Sequence, residues 1–260
     1  MSGLAYAAGI SRAMWQRSLL EVVRVRGAMF PTTIAPMIFL LGTAGQFGRL
    51  ADLSGFPTTS YLAWILPLSC MQGAGFAGGA AGANLARDIE QGWFDRLLTA
   101  PAPRFLLLAG PVLAAMTRAA IPTTVILLTG VAFGAGITGG LAGLLALYLA
   151  AIWFCVIAAL WGSWMALRAR SQQVGPLIQN GVFLVVFLST AYTPLGLLDG
   201  WLETFAQYNP VTYVLEMARQ ATVEGIPPSW EHTWPGLLAL SGMTVFFGLI
   251  ALRELRRMGR

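Results

Sequence analysis

From Ala119 to Leu167 the chain reads AAIPTTVILLTGVAFGAGITGGLAGLLALYLAAIWFCVIAALWGSWMAL, 49 residues without a charge. A membrane-spanning helix needs about 20 mainly apolar residues. The stretch therefore holds two spans, and the run Gly134-Ala-Gly-Ile-Thr-Gly-Gly140 is where they turn. Outward from this pair, further apolar runs lie at 28–48, 60–85, 177–196 and 235–252, with the pair itself at 107–134 and 141–166. The expectation is an all-α polytopic membrane protein of six transmembrane helices. Composition agrees: 57% of residues are hydrophobic and 10% charged, against about a quarter charged in a soluble domain.

All sixteen basic residues are arginine. Without lysine the chain cannot carry a P-loop, whose lysine holds the nucleotide phosphates. Placing the N-terminus in the cytosol puts thirteen arginines inside, leaves Arg49 and Arg219 outside, and sets Arg118 within a span. The acidic residues divide five to six, as expected when only positive charge sets orientation. Both termini are thus expected in the cytosol, and the net charge of +5 needs no nucleic acid to explain it. The first apolar run follows an arginine-bearing segment with no small-residue cleavage site, unlike a removable signal peptide.

Within residues 12–26, Met14, Trp15, Leu19, Val22 and Val25 share one helical face and Arg12, Gln16, Arg17, Glu21 and Arg24 the other. Such a helix lies in the membrane interface, either as an anchor for the first span or as a docking element. Gly75, Gly78, Gly79 and Gly82 give span two a small-residue face for close helix approach, within the bundle or between subunits. Pro67, Pro111 and Pro122 are expected to kink their helices. Cys70 and Cys155 read as buried free thiols.

Catalytic chemistry is missing from the spans. His232 has no cysteine or second histidine beside it, so no metal site is expected. No Asp, Glu or His lies inside a span to relay protons. Arg118 is the one charge expected there, and at a cost of about 2.5–3.5 kcal/mol it should face the bundle, a wet cavity or a headgroup. It is either a contact for a polar or anionic part of a substrate or a buried hydrogen-bond hub.

The loop 87–104 differs in character. It is charged and aromatic, and Pro101 and Pro103 close it. A short amphipathic helix there suits docking of a soluble partner, or an ordinary interfacial loop. Farther on, Asn209-Pro210 sets an N-cap and a first-turn proline for a helix over about 210–222, with Glu216 and Arg219 opposing a full crossing.

Asp88-Ile-Glu-Gln-Gly-Trp-Phe-Asp-Arg-Leu-Leu-Thr-Ala-Pro101 closely resembles the coupling loop of type-2 ABC exporter permeases, nearest to the daunorubicin/doxorubicin-resistance branch. Phe187-Leu-Ser-Thr-Ala-Tyr-Thr-Pro194, Gly200-Trp201 and Tyr208-Asn-Pro-Val-Thr-Tyr213 resemble that family's fifth span and returning outer helices. The resemblance runs from about Leu85 to Gly225. It implies one permease domain over 1–260, with an elbow helix at 11–27, a coupling helix in 87–104 and an outer re-entrant segment at 197–234. Asp88, Glu90, Gly92, Trp93, Phe94, Asp95, Arg96 and Pro101 would meet a separate ATPase subunit, which would bind the ATP and Mg. Asn209, Pro210 and Tyr213 would form the outer helix motif, and Arg118 is the candidate on the substrate path. A second permease subunit, the same or related, would complete the transporter in a bacterial plasma membrane.

The cargo implied is hydrophobic, drug-like or lipid. A lipid-linked polysaccharide stays open, because Trp153, Trp161 and Trp164 form either an aromatic path or a lipid-facing line. A non-transport scaffold or intramembrane enzyme is the remaining alternative.

Overall fold

Proline, glycine and short polar caps set the limits of the helices. A computed structural model describes Gln16 and residues 30–94 and 105–258; the expected elbow helix and the end of the coupling loop lie outside them. The described residues form eight α-helices and no strand: α1 (Phe30–Phe47), α2 (Tyr61–Glu90), α3 (Phe105–Ala132), α4 (Gly140–Ala169), α5 (Gly175–Phe187), α6 (Gly200–Tyr208), α7 (Pro210–Arg219) and α8 (Trp230–Arg257). Ser60 caps α2 by accepting from Ala63 N, and Ser229 caps α8 by accepting from His232 N. The turn expected at 134–140 is present, with left-handed backbone at Gly134 (φ 101°) and Gly140 (φ 54°).

Four stretches have both the length and the apolar character to cross a membrane: Thr32–Asp52, α3, α4 and α8. At 30 residues α2 has the length, while its many small and polar residues lower its hydropathy. The fifth expected span, 177–196, is different. Its helix α5 has 13 residues and is about 20 Å long, short of a hydrocarbon core of about 30 Å. The chain leaves the helix after Phe187 because the carbonyls exposed there find side-chain donors instead.

Helix α2 is the centre, touching α1, α3, α4, α5 and α7 and packing most extensively on α4. Its glycines explain that contact. A Cβ on Gly78 would collide with the Cys155 carbonyl, and one on Gly82 with the Gly162 backbone of α4. A Cβ on Gly75 would lie 3.0 Å from the Phe154 ring, and one on Gly79 2.9 Å from Gln179 Oε1. The small-residue face is therefore spent inside the bundle. Trp153 and Trp161 are also committed: their indole N–H groups donate to Thr244 Oγ1 (2.9 Å) and to Ile178 O (3.3 Å).

Gly78→Val is expected to cost about 1–3 kcal/mol by overpacking, read as a lower melting temperature in detergent micelles. Gly42→Ala, with nothing within 4 Å of its added Cβ, should melt like the parent or slightly above it. Equal behaviour of the two variants would contradict the close α2–α4 contact.

Candidate functional site

Two regions carry the polar chemistry, one at each end of the bundle. At the first, the chain between α5 and α7 folds back against the start of α2. Asn209 Nδ2 donates to Val185 O (2.8 Å) and Leu188 O (2.9 Å), satisfying the end of α5. Its Oδ1 accepts from Val211 N at 3.0 Å and starts α7, with Pro210 in the first turn. The expected N-cap is present, and it does a second job that sequence reasoning did not contain. Tyr213 donates to Gln207 O at 2.8 Å, tying α7 to α6.

Arg219 was expected on an outer helix, as a charge opposing a full crossing of the membrane. The structure buries it within that helix, α7, at 0% exposure. One Nη2 donates to Thr190 O (2.6 Å) and Ala191 O (3.0 Å), and Nη1 donates to Thr190 Oγ1 (3.2 Å). Nε points to Trp64 O at 3.5 Å, and the guanidinium carbon sits 3.3 Å from the centre of the Trp64 ring. A buried charge survives only when its donors are met; carbonyls, a hydroxyl and an aromatic face meet them here. Burial pushes the Arg219 pKa down to about 9, opposed by Glu216 and then Tyr61, so it remains a cation at neutral pH.

The signal lay in Pro67. A proline inside a helix removes the N–H that would bond the carbonyl four residues earlier, here Ala63 O. Thr222 Oγ1 donates to Ala63 O at 2.8 Å. The Trp64 carbonyl, one residue on, faces Arg219. The outer segment thus docks on the place where α2 lacks a backbone donor.

At the opposite end, Glu90 Oε2 accepts from Gln172 N at 2.7 Å, latching the end of α2 to the turn that starts α5. Gly92 takes φ +71°, a left-handed conformation that ends α2 and favours glycine. Phe94 is buried in an apolar cluster with Leu85, Leu107, Leu167, Ile178 and Leu255, from five helices. Trp93 is exposed. Asp88 lies in the last turn of α2, while Asp95, Arg96 and Pro101 fall outside the described residues. Arg118 is separate from both regions. It is buried in α3 and so faces the bundle. His232 lies in the first turn of α8, and no metal-holding group occurs among the described residues.

A latch at each end of a short fifth helix, plus an Asn-Pro returning helix, invites comparison with known permeases. The family model for ABC-2 type transporters matches residues 11–223. The chain belongs to this family. Among curated relatives, the probable doxorubicin resistance ABC transporter permease protein DrrC of Mycobacterium tuberculosis, from two strains, is 28% identical over 217 residues. That match covers 81% of this chain and 73% of the relative. This ABC-2 protein is therefore a multi-pass permease of an ABC exporter, and the family implies an ABC ATPase partner in general.

Arg219→Met, similar in bulk, is expected to lose at least about 2 kcal/mol by orphaning buried carbonyls. Arg219→Lys should recover only part, lacking the planar fork. Melting in micelles reads both, and the exposed Arg49→Met should leave it unchanged. Native-like melting of Arg219→Met would show that α7 is held by something else.

Proposed function

We propose that this ABC-2 permease exports a hydrophobic drug-like or lipid molecule from the cytosol or the inner leaflet, driven by a separate ATPase subunit that binds the ATP and Mg. Six spans, α1 to α5 and α8, leave both termini in the cytosol of a bacterial plasma membrane. Here α5 and the irregular segment after it act as the fifth. Irregular backbone at membrane depth is tolerated where protein buries it, and Asn209 and Arg219 supply the partners. Residues 1–260 act as one permease domain, with the elbow helix at 11–27, the coupling helix in 87–104 and the re-entrant segment at 197–234. A second permease subunit completes the conduit.

The observation that best supports an apolar cargo is the cavity of about 230 Å³ between α4, α5, α7 and α8. Phe154, Trp161, Val182, Val211, Met243 and Phe247 are among its walls, and every residue lining it is apolar. Leu184 and Val185 of α5 join it to a larger groove of about 790 Å³ walled by Trp201, Phe205 and Tyr208 of α6. A sugar chain is less well served, since Trp153 and Trp161 already spend their indole donors within the bundle.

Force would enter through Asp88, Glu90, Gly92, Trp93, Phe94, Asp95, Arg96 and Pro101 as the ATPases close. Glu90 passes it to α5 through Gln172, and α5 passes it to Asn209 and the outer segment. Nucleotide then favours one of two arrangements of the permease pair, a population shift. Arg118 remains a substrate-path candidate.

In proteoliposomes holding the permease and its ATPase, Glu90→Ala is expected to keep ATP hydrolysis while export falls about tenfold or more, the loss of about 1.4 kcal/mol of coupling. Asp95→Arg should instead abolish co-purification with the ATPase. Normal export by Glu90→Ala would contradict the route through α5, and normal binding by Asp95→Arg would contradict the coupling role of the loop.

A further inference from the structure

The bonds that hold α5 differ in what their loss would leave behind. At its end, Asn209 supplies Val185 O and Leu188 O at 2.8 and 2.9 Å. The helix runs out there, with Ser189 N turning back to Val186 O, so losing Asn209 would orphan both carbonyls. Before its start, Glu90 gives Gln172 N an acceptor at 2.7 Å. The middle turn is held differently. Among the described residues two side-chain hydrogen bonds reach it, both at 3.3 Å: Gln179 Nε2 donates to Phe76 O of α2, and Trp161 Nε1 of α4 donates to Ile178 O. Both acceptors lie inside α-helices, where the N–H four residues on already serves them. Breaking either bond orphans no carbonyl.

Gln179 is the less settled of the two donors. Its Oε1 is buried and has no hydrogen-bond partner, a state that most buried polar atoms avoid. Turning the amide over would not help, because Oε1 would then face the Phe76 carbonyl where the donor now stands. The amide fits only because residue 79 is glycine: a Cβ there would stand 2.9 Å from Oε1 and 3.1 Å from Nε2. Gly79 thus leaves a notch in α2, and a side chain of α5 hooks into it. One long bond and a half-met amide bias α5 toward this position and give way under a modest push.

We propose that Gln179 is a releasable catch on α5. Seated in the Gly79 notch it favours the arrangement seen here, and it slips free when ATP binding displaces the helix. It is a positioning residue: it sets how much of the permease waits in this arrangement and needs no contact with the cargo. This role rests on the reading, given above, that α5 carries force from the coupling loop.

Spin labels replacing the exposed Leu177 of α5 and Leu128 of α3, in the complex with its ATPase, test the catch. In the parent their separation should change on ATP binding. Without nucleotide, Gln179→Leu should already raise the ratio of ATP-type to resting distances about fivefold, the effect of one ordinary hydrogen bond, at a melting temperature close to the parent's. Gly79→Ala, whose methyl would meet the Gln179 amide in its notch, should give the same shift from the other helix, and Gly42→Ala should give none. Should Gln179→Leu fail to fold, Gly79→Ala carries the same expectation. Parent-like distances in Gln179→Leu, with and without nucleotide, would overturn the catch and leave the force route standing. A lowered melting temperature without the shift would overturn it too, as the mark of a purely structural bond. A parent whose distance ignores ATP would remove the route through α5, and the catch with it.

Discussion

Everything at the Asn209 end of the molecule depends on one constraint: a buried backbone carbonyl must be given a donor. Pro67 withholds one from Ala63 O, and the end of α5 withholds more from Val185, Leu188, Thr190 and Ala191. Three side chains, Thr222, Asn209 and Arg219, return them. Arginine is suited to the position nearest α2 because one planar group serves several acceptors while its face lies on Trp64. Leaving such acceptors unmet costs about 1–3 kcal/mol each. The returning segment is therefore specified by hydrogen bonds as well as by its buried apolar face.

That constraint makes α5 mechanically distinctive. It is short, it is bonded at its start through Glu90 and Gln172, and it is bonded at its end through Asn209. In the proposed mechanism a helix of 13 residues fastened at both ends would move as a rod. Beside it lie the apolar cavity and the groove, which meet at Leu184 and Val185. Displacement of α5 would alter both spaces together, which is how a push at the coupling loop could change the affinity of an apolar path.

Much of the frame was legible in the sequence. The charge-free run from Ala119 to Leu167 gave two helices with their turn at the glycines, and Asn209-Pro210 gave a helix start, because each depends on local chemistry. The coupling and outer motifs pointed to the family that the match over residues 11–223 shows. Three features were not legible. Whether Gly78 and Gly82 face another helix or another subunit depends on the partner surface, which proved to be Cys155 and Gly162 of α4. The early end of α5 is set by Asn209 and Arg219, some 20 to 30 residues farther along the chain. Arg219 itself looks like any surface arginine until Pro67 and Thr190 are brought beside it.

The most direct test of the α5 rod is a pair of spin-label distances in the complex with its ATPase, with and without nucleotide. Labels replacing the exposed Leu177 of α5 and Tyr208 of α6 should keep their separation on ATP binding. The distance from Tyr208 to a label at Leu128 of α3 should change. A Leu177–Tyr208 distance that changes while Tyr208–Leu128 stays fixed would contradict the account, because α5 would then move without carrying the outer segment.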